Sequence, residues 1–325
     1  MKFNANWLTQ ERIVFLIAIV LFAAFSFGLS GFFMIDNLIV LMRNVSVLGI
    51  LGIAMAIIVI GRGIDLSMIA VMAVSSAWTL QLMQDGYSLW LALLLGLLCA
   101  LAVGIANGLL IAFVEIPALF ATLATGIFIY GLGKSFMLDL DVVYLPEDTG
   151  WFESIGKGSI GPIPMSLILA FVTVIVVWLI LSKTRFGRFI YGTGDNPLAA
   201  RITGIPVRVI ITAQYVMASF IAFFAGIIIS TSVSAMNTRI FHSTMIYDVI
   251  LVVVLGGIGL SGGKGSVRNV VVGTLLIGTL LNGMTIMDIQ FTMQNFIKSL
   301  ILLFAIILDS VLHPRNEETA QQGDI

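Results

Sequence analysis

The sequence predicts an all-α, polytopic integral membrane protein with about ten transmembrane helices, both termini cytoplasmic (N-in/C-in), and one short cytoplasmic helix outside the bilayer. Three observations lead there. The 325 residues are 59% hydrophobic and only 10% charged, with a mean hydropathy of +1.11, which leaves too little polar surface to cover a water-soluble globule of this size. The apolar residues gather into runs that can cross a hydrocarbon core of about 30 Å, a crossing that takes roughly twenty helical residues. These runs are apolar on every face, without the alternation that a membrane β-barrel requires.

The first run, 13–33, follows a polar lead and has no small-residue cleavage site, so it reads as a retained helix and not a signal peptide. Further runs follow at 45–60, 66–84, 89–113 and 117–138. After an acidic loop at 139–164 come 165–182, 209–231, 246–260, 268–284 and 292–311. The second and eighth are short and end in the glycine-rich stretches GRGIDLS and GGIGLSGGKGS, which predicts helices broken inside the membrane. Trp7, Trp90, Trp151 and Trp178 fall near the ends of runs, as interfacial anchors do. Lys2, Arg12, Arg62, Lys183, Arg185, Arg188, Arg201, Arg208, Lys264, Arg268 and Arg315 fall on the cytoplasmic side. Arg43, Lys134, Lys157, Arg239 and Lys298 fall on the other, and this bias sets the orientation.

Residues 1–325 read as one membrane domain, with a polar loop at 183–208 and a short acidic tail at 312–325. A single cysteine, Cys99, excludes an intrachain disulfide, and His242 and His313 are too far apart to begin a metal site. The stretch around Lys264 fails as a phosphate-binding loop, because Ile258 stands where glycine is needed and Gly265 where Ser or Thr is needed. The chain therefore lacks that device for holding ATP. No nucleophile, base and orienting group come together in any motif, so the chain does not read as an enzyme. The loop 139–164 carries Asp139, Asp141, Glu147, Asp148 and Glu153 against Lys157, which reads as solvation of a long loop or as a docking surface.

Four polar residues are candidates for a translocation path. Asp65 and Ser67 follow the second run, where they either cap the next helix or line a path. Asn107 and Asn282 each precede a glycine within or at the end of an apolar run, and their amides need partners: another helix or a solute. The GIDLS and GIGLS segments echo one another, as do the two Asn-Gly pairs, which suits a transporter with related halves.

The polar loop keeps five of the sixteen Lys and Arg residues. Within it Gly192-Thr193-Gly194 reads as a turn, Asp195 or Asn196 as an N-cap, and Pro197 as a first-turn proline. Leu198–Thr203 reads as a short helix ending at Gly204, with Pro206 beyond. A short, separately capped helix between spans suits docking into a groove on a soluble partner, or serves as an interfacial connector.

FGRFIYGTGDNPLAARITGI closely resembles the cytoplasmic coupling-loop signature of the ribose and simple-sugar class of bacterial ABC importer permeases. GIDLS, LGGIGLSGGKGSV, GTLLIGTLLNG and the closing ILLFAIILDSVL are similar to the same class and occur in the same order along nearly the whole chain. The chain departs from the family in Gly61-Arg62-Gly63 before GIDLS's Ile-Asp-Leu-Ser and in Met68-Ile69-Ala70 after it. The resemblance implies a multi-pass permease of the bacterial inner membrane that moves a sugar-like solute by alternating access. Gly194, Asn196, Ala199, Ala200, Arg201 and Gly204 would then form the helix that docks on an ATPase subunit. The implied partners are that ATPase, which binds ATP and magnesium, a periplasmic solute-binding protein and a second permease copy or paralogue; the chain itself needs no cofactor and binds no nucleic acid. An ion-coupled secondary transporter is the alternative, with Asp65, Glu115 and Asp248 as its acidic candidates.

Overall fold

The computed structural model describes residues 10–147 and 149–312; Lys2, Trp7, Asp148, His313, Arg315 and the tail past 312 lie outside the described residues. The order begins with α1 (Gln10–Gly28), α2 (Ile35–Ile60), α3 (Met68–Gln84), α4 (Leu89–Ala112) and α5 (Ala118–Phe136). An outer segment holds β1 (Val142–Tyr144), α6 (Ser154–Lys157), β2 (Ser159–Ile160) and β3 (Ile163–Pro164). Then come α7 (Met165–Lys183), α8 (Arg185–Asp195), α9 (Pro197–Ile202), α10 (Val207–Ser232) and β4 (Ala235–Asn237). The described chain closes with α11 (Met245–Leu255), α12 (Val267–Ile286) and α13 (Phe291–Leu312). Seven helices, α1, α2, α4, α5, α7, α10 and α12, are long and apolar enough to cross a membrane. The apolar helices α3 and α11 are shorter, as is the stretch Phe291–Ile307 of α13 over which side chains are described, so over the described residues length and composition support seven spans where the sequence predicts ten.

Two boundaries correct the sequence reading. The run 13–33 is not one helix: α1 stops at Gly28 and the chain turns through Phe32, which is fully buried with its ring 5.4 Å from Phe22 and 5.5 Å from Phe25. An aromatic turn is as apolar as a helix, so hydropathy does not mark it. The second run is not short either, because α2 begins at Ile35 and runs 26 residues. Its polar start is accommodated by a distant partner: Asn37 and Asn282 exchange amide hydrogen bonds of 3.0 and 2.9 Å, and Asn37 also donates to the Phe32 carbonyl at 2.7 Å. The eighth run is short in the structure as well: α11 has 11 residues and ends at Leu255.

α2 forms the axis of the bundle. Nearly every residue from Ser46 to Ile60 is buried, under α7, α10, α11 and α12. Lipid tails are as apolar as its side chains, so close packing and not the hydrophobic effect must hold these helices together. Small residues every fourth position along α4 show how: Gly96, Ala100, Gly104 and Gly108 lie along one face, and a Cβ added at Gly108 would fall 2.5 Å from the Thr212 Cα. α4 and α10 thus meet backbone to backbone.

The 139–164 segment is an ordered cap with short strands that the all-α reading did not include. β1 pairs antiparallel with β4, Val143 facing Met236, and β2 pairs with β3. Among its described acidic residues, Asp139 and Asp141 tie the segment to neighbouring elements and Glu153 is paired within it. Asp141 bridges Lys134 at 2.5 Å and Arg239 at 2.6 Å, Asp139 accepts from Gln81 at 3.1 Å, and Glu153 pairs with Lys157.

Candidate functional site

α2 ends at Ile60 because Gly61-Arg62-Gly63 cannot continue it: Arg62 adopts φ 71° and Gly63 turns its N–H back to the Ile58 carbonyl at 2.9 Å. A non-glycine residue in the left-handed region stores on the order of 1–2 kcal/mol, so the surroundings must impose this break. They do. The Gln214 amide and the Tyr215 hydroxyl of α10 lie directly against the faces of Gly61 and Gly63, where any Cβ would collide with them. Gln214 donates to the Ile57 carbonyl and Tyr215 to that of Ile64, both at 3.4 Å.

Past the break the chain enters a buried polar relay. Thr125 donates to the Asn107 side-chain oxygen at 2.5 Å, and Asn107 donates to the Ser67 hydroxyl at 2.8 Å. Ser67 donates to Asp65 Oδ1 at 2.6 Å, and its backbone N–H reaches the same oxygen at 2.9 Å. Every donor points toward the carboxylate, and such a chain strengthens itself in a low-dielectric interior. Thr122 joins α5 to the break by accepting from the Leu66 N–H at 3.0 Å. Asp65 Oδ2 is buried and has no hydrogen-bond partner. The relay ties the α2–α3 break to α4 and α5, and the Asp65 carboxylate holds the entry to α3.

The second break, Gly256–Ser266, packs against the first. The Gly263 N–H donates to the Ile60 carbonyl at 2.8 Å, where α2 has run out of its own donors. The end of α8 is pressed into this junction. A Cβ on Gly194 would overlap the Ile60 carbonyl oxygen and come within 2.7 Å of the Gly263 nitrogen, while Asp195 backs onto Gly263 itself. Tyr191, one turn earlier, donates to the Gly265 carbonyl at 2.8 Å. Three segments far apart in sequence, 60–67, 191–195 and 256–266, therefore share one contact.

The polar loop folds as two helices. Thr184 caps α8 by accepting from the Gly187 N–H at 3.2 Å, and α8 continues through Gly192-Thr193-Gly194, correcting the predicted turn. Gly194 serves close approach there, since its φ is not positive. Asn196 is the N-cap of α9, accepting from Leu198 and Ala199 at 3.0 Å each, with Pro197 at the first position and Gly204 at φ 83° beyond the end. Leu198, Ala199, Arg201, Ile202 and Gly204 are exposed, whereas Ala200 faces inward and Gly194 lies in the junction. A cleft of about 410 Å³ separates α9 from the first break, lined by Arg62, Glu115, Thr193, Arg201 and Tyr215. Arg208 closes its rim on Glu115 at 3.0 Å.

Of the four path candidates, the structure brings together Asp65, Ser67 and Asn107. Asn282 is elsewhere, satisfied by Asn37, and its amide ties α12 to α2. Thr122 and Thr125 were not anticipated. Their three-residue spacing in an otherwise apolar run was the available signal, since it sets both hydroxyls on one face of α5. Glu115 and Asp248 are each paired, Glu115 with Arg208 and Asp248 with Lys298 at 2.8 Å, on different elements from Asp65.

The family described as branched-chain amino acid transport system / permease component matches residues 34–306, a stretch that holds both breaks, the relay and the two loop helices. The chain belongs to this permease family. Among curated relatives, the permease is 30% identical over 94% of its length to the ribose import permease protein RbsC of Haemophilus influenzae, covering 95% of that protein. It is 33% identical to the RbsC of Bacillus subtilis, over 84% of each chain, and 31% identical to the galactofuranose transporter permease protein YtfT of Escherichia coli, over 83% of the permease and 78% of YtfT. No solved structure matches it. As a member of this family the permease is a multi-pass protein of the bacterial inner membrane.

Proposed function

We propose that the permease is the membrane-spanning subunit of an ATP-driven importer that moves a simple sugar or sugar-like solute by alternating access. The observation that carries this is the junction itself: a short capped helix, α9, rides on α8, whose last turn is wedged between the two broken-helix ends. A push on α9 reaches Ile60 and Gly263 through backbone contacts that cannot compress. The first break then transmits it to α4 and α5 along the Asp65–Ser67–Asn107–Thr125 relay. The half-satisfied Asp65 carboxylate supports a junction that exchanges partners during the cycle, because a buried oxygen without a donor is costly to keep.

The exposed Leu198, Ala199, Arg201 and Ile202 face suits a groove on a separate ATPase subunit, which binds and hydrolyses the ATP. Relatives named for ribose, galactofuranose and galactose/methyl galactoside import favour a sugar as cargo. A periplasmic solute-binding protein delivers the solute, and a second permease copy or paralogue completes the pathway. ATP binding closes the ATPase pair, the coupling helices follow, and the pathway opens outward to receive the solute.

The test is reconstitution with the ATPase and binding protein in proteoliposomes. Arg201→Glu with Gly204→Trp is expected to abolish both ATPase association and ribose or galactose uptake; wild-type levels of either would overturn the coupling assignment. Uptake that needs ATP and survives an uncoupler is expected. Loss of uptake on collapse of the proton gradient alone would instead make the protein a secondary transporter.

A further inference from the structure

α11 and α13 run side by side from the cap end of the bundle, and a groove of about 290 Å³ lies between them. α11 follows β4, which pairs with the cap, and α12 brings the chain back to that end before α13 starts at Phe291. Asp248 therefore lies about 4.5 Å along α11 and Lys298 about 10 Å along α13. The two form an ion pair: the Lys298 ammonium is 2.8 Å from Asp248 Oδ1 and 3.0 Å from Oδ2, and it donates to the Thr244 hydroxyl at 3.1 Å. Charged groups at such depth face protein or water and not lipid, so the groove does not open onto hydrocarbon.

The pairing decides what can enter. A free ion meets no net charge there, and an acyl chain would leave the polar wall unanswered. In that wall the Asp248 carboxylate keeps acceptor positions that one ammonium does not fill, and the Asn295 amide is held through its oxygen by Thr244. The exposed Tyr247 and Ser299 add two hydroxyls, and Leu251 and Leu302 line much of the remainder. Neutral polar groups beside small apolar ones match a sugar, which donates and accepts through its hydroxyls and lays its C–H face on an aromatic ring or a leucine. On the reading of the chain as a sugar importer, we propose that this groove is a binding site for a neutral sugar on the outward side of the translocation path. Ring hydroxyls donate to Asp248 and accept from the Asn295 amide nitrogen and from Ser299, and the Tyr247 ring covers one face of the sugar.

Ser299→Cys in a Cys99→Ala background gives the permease a single thiol, at the groove, for labelling in the complete importer in proteoliposomes. A charged, membrane-impermeant methanethiosulfonate should label it, and an excess of ribose or galactose should slow the labelling about threefold or more. Adding Asn295→Leu should leave the thiol reactive and remove most of that protection. An unreactive thiol overturns the proposal, because lipid or protein then covers the groove. Labelling that neither sugar slows, or full protection in the presence of Asn295→Leu, overturns it as well, as does a disulfide that joins two copies through Ser299→Cys. ATP-driven sugar uptake by the wild-type importer separates the two readings. Its absence would overturn the importer and the groove together, whereas intact uptake with no protection at Ser299→Cys would overturn the groove alone.

Discussion

Replacing Gly194 by alanine adds a single methyl group at the tightest contact between the loop helices and the membrane bundle. That methyl would overlap the Ile60 carbonyl oxygen and approach the Gly263 nitrogen, both backbone atoms already joined by a 2.8 Å hydrogen bond. Neither can rotate aside as a side chain can, so α8 must move away or the bond between the breaks must part. Overpacking costs about 1–3 kcal/mol and the parted bond about 0.5–1.5, which together predict a loss of about 2–4 kcal/mol. Gly204→Ala supplies the contrast. Gly204 has φ 83° but nothing within 4 Å of its added Cβ, so only backbone strain of about 1 kcal/mol applies, and Gly204→Asn should cost less. Thermal unfolding in detergent, followed by labelling of the partly buried Cys99, measures both. Gly194→Ala should lower the midpoint by at least ~4 °C, Gly204→Ala by clearly less. In the reconstituted complex Gly194→Ala should also hydrolyse ATP with little solute moved. Wild-type stability together with wild-type coupling in Gly194→Ala would refute the idea that α8 is clamped between the breaks.

Asn107→Leu removes the link between Thr125 and Ser67 and should destabilise by about 2–3 kcal/mol, while a double-mutant cycle with Thr125→Ala should show a coupling of at least ~0.5 kcal/mol. For the Asn37–Asn282 pair, either single leucine substitution strands a buried amide and should cost about 1–3 kcal/mol. The double Asn37→Leu/Asn282→Leu change should recover most of that loss and leave solute selectivity unaltered; a change in selectivity would put Asn282 in the path. Asp141 is held below the usual carboxylate range first by its hydrogen bond from Lys134, with Arg239 adding to it. A depressed folded value means the stabilisation is present above the unfolded value near 3.8 and is lost as pH falls through the lower folded one. Hydrogen exchange at β1 and β4 should therefore accelerate on acidification through that window, and Asp141→Asn should remove the dependence.

Features set by neighbouring residues in sequence were readable, and those set by distant partners were not. Asn196, Pro197 and Gly204 mark α9 because capping, a fixed φ and a left-handed stop are local matters. Gly192 and Gly194 misled as a turn because composition does not distinguish a glycine needed for conformation from one needed for proximity; only the approach of Ile60 and Gly263 tells them apart. The start of α2 was hidden by Asp36, Asn37, Arg43 and Asn44, polar residues that mimic a loop until Asn282 supplies a partner 245 positions away. Asp65, Ser67 and Asn107 were each visible as polar residues at odds with their surroundings. Their union depends on how α4 and α5 pack on the break, as does the pairing of β1 with β4 across the outer cap.

The bond between Ile60 and Gly263 bears on how the protein is made. Ile60 emerges from the ribosome roughly 200 residues ahead of its donor, so the six long apolar helices that precede Gly263 are made with that carbonyl still uncovered. The nascent chain acquires its loop helices before it acquires the loop that seats them. Biogenesis thus runs with the docking element held by α2, α7 and α10 alone, and a chain cut short before the second glycine break would present α9 with only the α2 side of its clamp in place.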